Sequence, residues 1–227
     1  MPEDQETTAA AGRSPSSEVI AQALKDRVLS GGYAPGQRLI EMELAEEFGV
    51  GRGRVREAFR TLVGEGLLAF VANRGVMVRR FTREEMLSIG RTREVLEGLA
   101  ARLAAERELT AEEQAALSDC QARMDRAVAA DDVEEFNREN RSYHALIAQF
   151  AGNELILDFL DRARVPLMRL QLPPGAAAES MPRSNRHHHA ITTAILTGMP
   201  DAAEAAMRAH VRRGNQHIAE LPDEDFQ

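Results

Sequence analysis

The stretch EMELAEEFGVGRGRVREAFRTLVGEG, residues 41 to 66, constrains this chain more than any other, because it reads as a helix, a tight turn and a second helix. In the first helix Leu44, Ala45 and Phe48 share one face and the glutamates fall elsewhere. Gly49 tolerates the positive φ that the turn needs, Val50 plugs the turn into the core, and Gly51 frees the start of the next helix. Val55, Phe59, Leu62 and Val63 recur at helical spacing as a buried stripe. Arg52, Arg54 and Arg56 crowd the opening turns outside that stripe. Cations there oppose the helix dipole by a few tenths of a kcal/mol each, roughly, so the arrangement points to an external polyanion, with DNA the natural candidate. A solvated charged face is the bland alternative.

The next segment, LLAFVANRGVMVRR, has β-rich runs on either side of Asn73-Arg74-Gly75, which predicts a hairpin, or wing, near residues 67 to 79. Arg74 at its tip can reach a minor groove or a phosphate, and Gly75 lets the backbone approach closely. Taken together, YAPGQRLIEMELAEEFGV, RGRVREAFRTLVGEGLL and NRG resemble the winged helix-turn-helix of the GntR family of bacterial transcription regulators, over residues 16 to 80. The resemblance implies DNA contacts from Gly51, Arg52, Gly53, Arg54, Arg56, Arg74 and Gly75. Two positions depart from the family pattern: Gly51 stands where Ser or Thr commonly caps the recognition helix, and Arg54 where Pro is usual. Glycine is the weaker cap, and Arg54 adds a charge to the reading surface.

At 227 residues the chain has room for two small domains. No apolar run approaches the roughly 20 residues that span a bilayer, and the polar, partly acidic first 18 residues are unlike a secretory signal. Residues 1 to 15 read as a disordered arm, and the single cysteine, Cys120, excludes an internal disulfide framework; a cytoplasmic location is expected. The net charge of −8 is unevenly placed, since residues 1 to 80 hold 11 basic and 11 acidic side chains and the excess falls in the rest. A locally basic reading surface on an acidic protein suits sequence-specific rather than indiscriminate binding.

Before the helix pair, Ser17 is expected to cap a helix whose Val19, Ile20, Ala23, Leu24 and Val28 face inward and which ends at Gly31-Gly32. Residues 38 to 40 are expected as a short strand beside the wing. A second domain, residues 81 to 222, starts without a flexible linker at the capping box Thr82 to Glu85. Its signal is almost wholly helical, with helices expected near 83–107, 111–130, 132–151, 154–170, 183–198 and 201–219. The fold class is therefore mainly α: a winged helix-turn-helix followed by a helical bundle.

All six histidines lie in this second domain. Asn140 and His144 share a helix face, His188 faces inward with Ile191 and Ile195, and His210 follows Met207 on an inward stripe, so three imidazoles can converge. Hydrogen-bonded core histidines are the alternative. RTREVLEGLAARLAAE, NRSYHALIAQFAGN and HHHAITTAILTGMPDAAEAAMRAHV resemble the FCD effector domain of one GntR subfamily. That resemblance implies metal ligands at Asn140, His144, His188 and His210, an effector-binding Arg93, and a dimerisation role for the domain. Asn140 stands where the family usually has Asp. Three neutral imidazoles with a weak amide donor suit zinc or nickel better than calcium or magnesium. His187 and His189 are expected beside the site or exposed, and His217 at the surface. Arg93 can grip a carboxylate bidentately, or form a surface pair with Glu97.

These readings combine into a homodimeric repressor on a palindromic operator, controlled by a small organic acid at a divalent metal and carrying no enzymatic activity. A histidine-ligated metalloenzyme acting on a small carboxylate or ester is the alternative; the sequence lacks an HExxH-type general base for it.

Overall fold

Local signals along the chain resolve into two units, Met1–Arg79 and Arg80–Gln227. The computed structural model describes residues 14–29, 32–167, 174–222 and 226. Residues 1–13 of the expected arm, Gly31 of the first helix's expected end, residues 168–170 and Pro173 lie outside the described residues.

In the first unit α1 (Ser17–Leu29), α2 (Glu41–Glu47) and α3 (Arg52–Gly64) precede a hairpin of β1 (Leu68–Val71) and β2 (Gly75–Val78). The strands pair antiparallel, with Leu68 opposite Val78 and Val71 opposite Gly75. A bridge from Arg38 to Met77 adds the expected third edge. Gly49 has φ +62°, the left-handed conformation that the turn between α2 and α3 requires. Val55, Phe59 and Leu62 of α3 bury against Ile20, Leu24 and Val28 of α1. Two expectations for α1 are corrected. Ser16, not Ser17, supplies the cap, its hydroxyl accepting from Val19 N at 3.4 Å. Val19 is 57% exposed and Ala21 buried, because the buried row runs Ile20, Leu24 and Val28, and Val19 lies 100° off it.

The second unit is built from α4 (Arg83–Glu106), α5 (Ala111–Ala129), α6 (Val133–Phe150), α7 (Glu154–Leu167), α8 (Pro174–Leu196) and α9 (Pro200–Glu220). Reciprocal capping boxes open α4 at Thr82–Glu85 and α5 at Thr110–Glu113. The helix expected from residue 183 begins earlier, at Pro174, and runs through Pro182. Pro174 occupies the first helical position, where a missing N–H costs nothing.

The tightest packing is between α4 and α9, which run antiparallel. Glycine makes it possible: a Cβ on Gly98 would lie 2.4 Å from Arg208 Cγ, and one on Gly90 would lie 1.9 Å from Asn215 Oδ1. At one end of the pair Arg102 bonds Asp201 and Glu204. At the other, the Arg83 guanidinium donates to the Ile218 and Ala219 carbonyls in the last turn of α9 and to the carbonyl of Leu221 just beyond it. The core of the unit centres on Tyr143, Met124, Ile147 and Ile191, and Tyr143 hydroxyl donates to the His188 carbonyl at 3.0 Å.

Candidate functional site

The first unit presents the opening turns of α3. Gly51 caps the helix in an extended conformation with no side-chain bond to it. Arg52, Gly53, Arg54 and Arg56 are all exposed. Arg54 Nη1 donates to the carbonyls of Ser14 and Pro15, at 3.2 and 3.0 Å, so this arginine holds the chain just ahead of α1. Arg56 Nε pairs with Glu41 at 2.6 Å. Such an exposed pair is worth at most about 1 kcal/mol, whereas a good bidentate base contact is worth about 1–3 kcal/mol, so a nucleic acid can displace Glu41. At the wing tip Asn73 has φ 60° and Gly75 φ 84°, which folds the three-residue loop and leaves Arg74 exposed.

In the second unit α6, α8 and α9 bring His144, His188 and His210 together, with one ligating atom of each within 4.8 Å of the others. His144 Nε2 and His188 Nε2 lie 3.2 and 3.3 Å from His210 Nε2. Those separations match the ~3.3–3.4 Å edge of a tetrahedron with metal–nitrogen bonds of about 2.0–2.1 Å. Three imidazoles cannot satisfy one another in this arrangement. His144 Nδ1 bonds Glu97, which leaves its Nε2 as an acceptor; His210 Nε2 can then serve only one of its two neighbours, as either donor or acceptor. Added protons are not the remedy, since burial first and the neighbouring imidazoles next push His210 down to about 3 and His188 well below its ordinary value. The donor set fits a divalent cation.

Glu97 was readable only as a surface partner for Arg93, and the structure corrects this. It is 4% exposed, bonds His144 Nδ1, and pairs with Arg93 Nη2 at 2.5 Å. Burial opposes its charge, but Arg93 and then His144 more than offset that and hold the carboxyl well below the usual range. It fixes the His144 tautomer with Nε2 toward the cluster, a common arrangement behind metal-ligating histidines. The signal in the sequence was its position one turn after Arg93; its pairing with α6 was not readable.

Beside the cluster lies a cavity of about 330 Å³ whose lining includes Arg93, Asn140, His144 and His210. Asn140 Oδ1 is buried there with no hydrogen-bond partner among the described residues. His187 also lines the cavity, while His189, 53% exposed, bonds Asp125 at 2.8 Å. His217 is not a surface residue: it lines the cavity, and its Nε2 is buried and unpartnered among the described residues. Its spacing of seven from His210 puts both on one face of α9, a signal available in the sequence. Cys120 is buried in α5, its thiol donating to the Glu139 carbonyl and pushed up to about 11 chiefly by burial, so it is not a nucleophile.

Comparison with known proteins matches both units. The model of the gntR family of bacterial regulatory proteins matches residues 16–78, and that of the FCD domain residues 88–213. The Nta operon transcriptional regulator of Aminobacter aminovorans is 28% identical over 191 residues, covering 83% of this chain and 88% of its own. The galactonate operon transcriptional repressor of Escherichia coli is 27% identical over 225 residues, covering 89% and 96%. Among solved structures, McbR/YncC of Escherichia coli superposes with a TM-score of 0.76 at 21% identity, covering 90% of this chain and 97% of that one. No helix among the described residues is long and apolar enough to cross a membrane.

Proposed function

We propose, from the premise that this chain belongs to the GntR family of bacterial regulatory proteins and carries an FCD domain, that it is a transcriptional repressor released or engaged by a small organic acid bound at a metal. That it is a DNA-binding transcriptional regulator, not an enzyme, follows from the family and from relatives that are operon regulators. The α3 arginines and the wing read the operator. In the second unit His144, His188 and His210 would hold zinc or nickel, with Asn140 offering a neutral oxygen, and the metal would supply, together with Arg93, positive charge for a carboxylate effector. Bound, the metal supplies a positive charge that neither the imidazoles nor Arg93, already paired to Glu97, provides. The observation that carries this reading is the convergence of three Nε2 atoms that cannot satisfy each other beside a cavity containing Arg93.

The reading is tested with the full chain and operator fragments selected from genomic DNA. Arg56→Ala is expected to lose more than about 1 kcal/mol of specific affinity. Chelation, or His188→Ala, is expected to abolish the response of DNA binding to an organic acid while leaving operator binding itself in place. An acid response that survives both treatments would refute the metal-centred effector site.

A further inference from the structure

The cavity beside the imidazole cluster is long, and only one end of it is used by the carboxylate, metal and Arg93 arrangement. Along α9 its lining runs from His210 through Arg213 and Gly214 to His217 and Leu221. Along α8 it runs the opposite way, from His187 through Ser184 and Arg183 to Ser180. The two helices are joined by a short turn at Gly198 and lie side by side, with the rings of His187 and His210 6.0 Å apart. Seven residues of helix, from His210 to His217, cover roughly 10 Å. One end is therefore imidazole, and the other is a separate polar surface.

That far end is built for a ligand group. Asn215 Nδ2 and His217 Nε2 are buried with no hydrogen-bond partner among the described residues. The Asn215 side chain is seated against the bare backbone of Gly90, where a Cβ would lie 1.9 Å from its Oδ1, so its position is fixed by packing. Arg183 and Arg213 stand exposed at the rim, and Arg213 donates to the neutral Gln216 side-chain oxygen at 3.1 Å. Among the described residues of the lining Glu220 is the one carboxylate, so the cations outnumber it. Buried unpaired polar atoms cost about 1–3 kcal/mol each, and a short monoacid held at the imidazole end would leave these as they are.

Resting on the acid-effector reading above, we infer that the effector is two-headed: an aliphatic acid of about five to seven carbons whose second anionic group, carboxylate or phosphate, is held by Arg183 and Arg213. The length follows from the roughly 5–6 Å by which Arg213 and Arg183 are displaced along their helices from His210 and His187, which is about the span of such a chain. Two guanidinium groups give the second head a charge-assisted, bidentate grip.

The test uses the zinc-loaded full chain and isothermal titration with hexanoate, adipate and 5-phosphopentanoate. Adipate or the phosphate compound is expected to bind at least about tenfold tighter than hexanoate, and which of the two leads identifies the second head. The double variant Arg183→Ala/Arg213→Ala is expected to bring the two-headed acids down to the hexanoate level. Hexanoate binding as tightly as both two-headed acids, or an advantage that survives the double variant, overturns the inference and leaves the acid-effector reading standing. If none of the three binds, and a panel of shorter mono- and hydroxy acids fails as well, the acid-effector reading itself falls and the inference with it.

Discussion

At the scale of single residues, Glu97 is the group on which the imidazole cluster turns. It joins Arg93 to His144 and is itself kept ionised in a buried position, so it sets both the tautomer of one histidine and the direction of one guanidinium. Glu97→Gln keeps the size and loses the charge. It is expected to weaken zinc binding by about 10–100-fold, measured by competition with a chelator, with the helical circular dichroism unchanged. Equal zinc affinity in the variant would show that His144 is oriented without it. The other two histidines set a pH dependence. His210 and His188 have depressed pKa values in the folded chain, so they stay neutral there while the unfolded chain takes up protons below about 6.5. Below that value the unfolded state binds more protons, and stability falls as pH falls. Urea midpoints of metal-free protein should drop between pH 7.5 and pH 5.5, by up to about 1.4 kcal/mol per pH unit for each histidine. A midpoint that stays level would mean that these rings are protonated in the native state.

At the scale of elements, the contact of α4 with α9 positions Arg93 and Glu97 against His210. The capping box at Thr82 was legible because both partners are local. The role of Gly90 and Gly98 was not, since a glycine in a helix is explained only by what crosses it. A valine at Gly98 would drive its side chain into Arg208 Cγ, 2.4 Å from the first added carbon, and Arg208 would give up its approach to Glu94 and Glu204. Overpacking of this kind costs about 1–3 kcal/mol, and valine recovers little of glycine's helix penalty. Gly98→Val should therefore lose at least about 1 kcal/mol in chemical denaturation, and a neutral result would mean that α4 and α9 can separate freely. The length of α8 also escaped the sequence, because a proline at position 182 reads as a boundary even when the surrounding helix tolerates it.

At the scale of the whole molecule, the second unit leaves apolar side chains uncovered. Val95 and Leu99 on α4 and Leu155 and Phe159 on the neighbouring α7 are 53%, 36%, 71% and 60% exposed. Paired at i, i+4 on each helix, they form faces that a second copy of the chain can bury, and a two-fold dimer matches a palindromic operator. We propose this as the dimer surface. Leu155→Glu/Phe159→Glu should sediment as a single 25.0 kDa chain and lose affinity for the full palindrome, with little change in unfolding because both side chains are already exposed. A dimer that persists in that variant would place the interface elsewhere.

By itself the sequence determined the order of the elements, the tight turn at Gly49, the hairpin at Asn73 and the inward histidines, because each depends on residues within a turn or two of one another. Helical period and turn chemistry act at that range. What only the tertiary structure decided was which faces meet: that Glu97 stands behind His144, that Arg56 rests on Glu41, and that Arg54 holds Ser14 and Pro15. Those pairings join side chains on different elements or several turns apart, and their energy comes from burial and charge at a distance in sequence that no local pattern encodes.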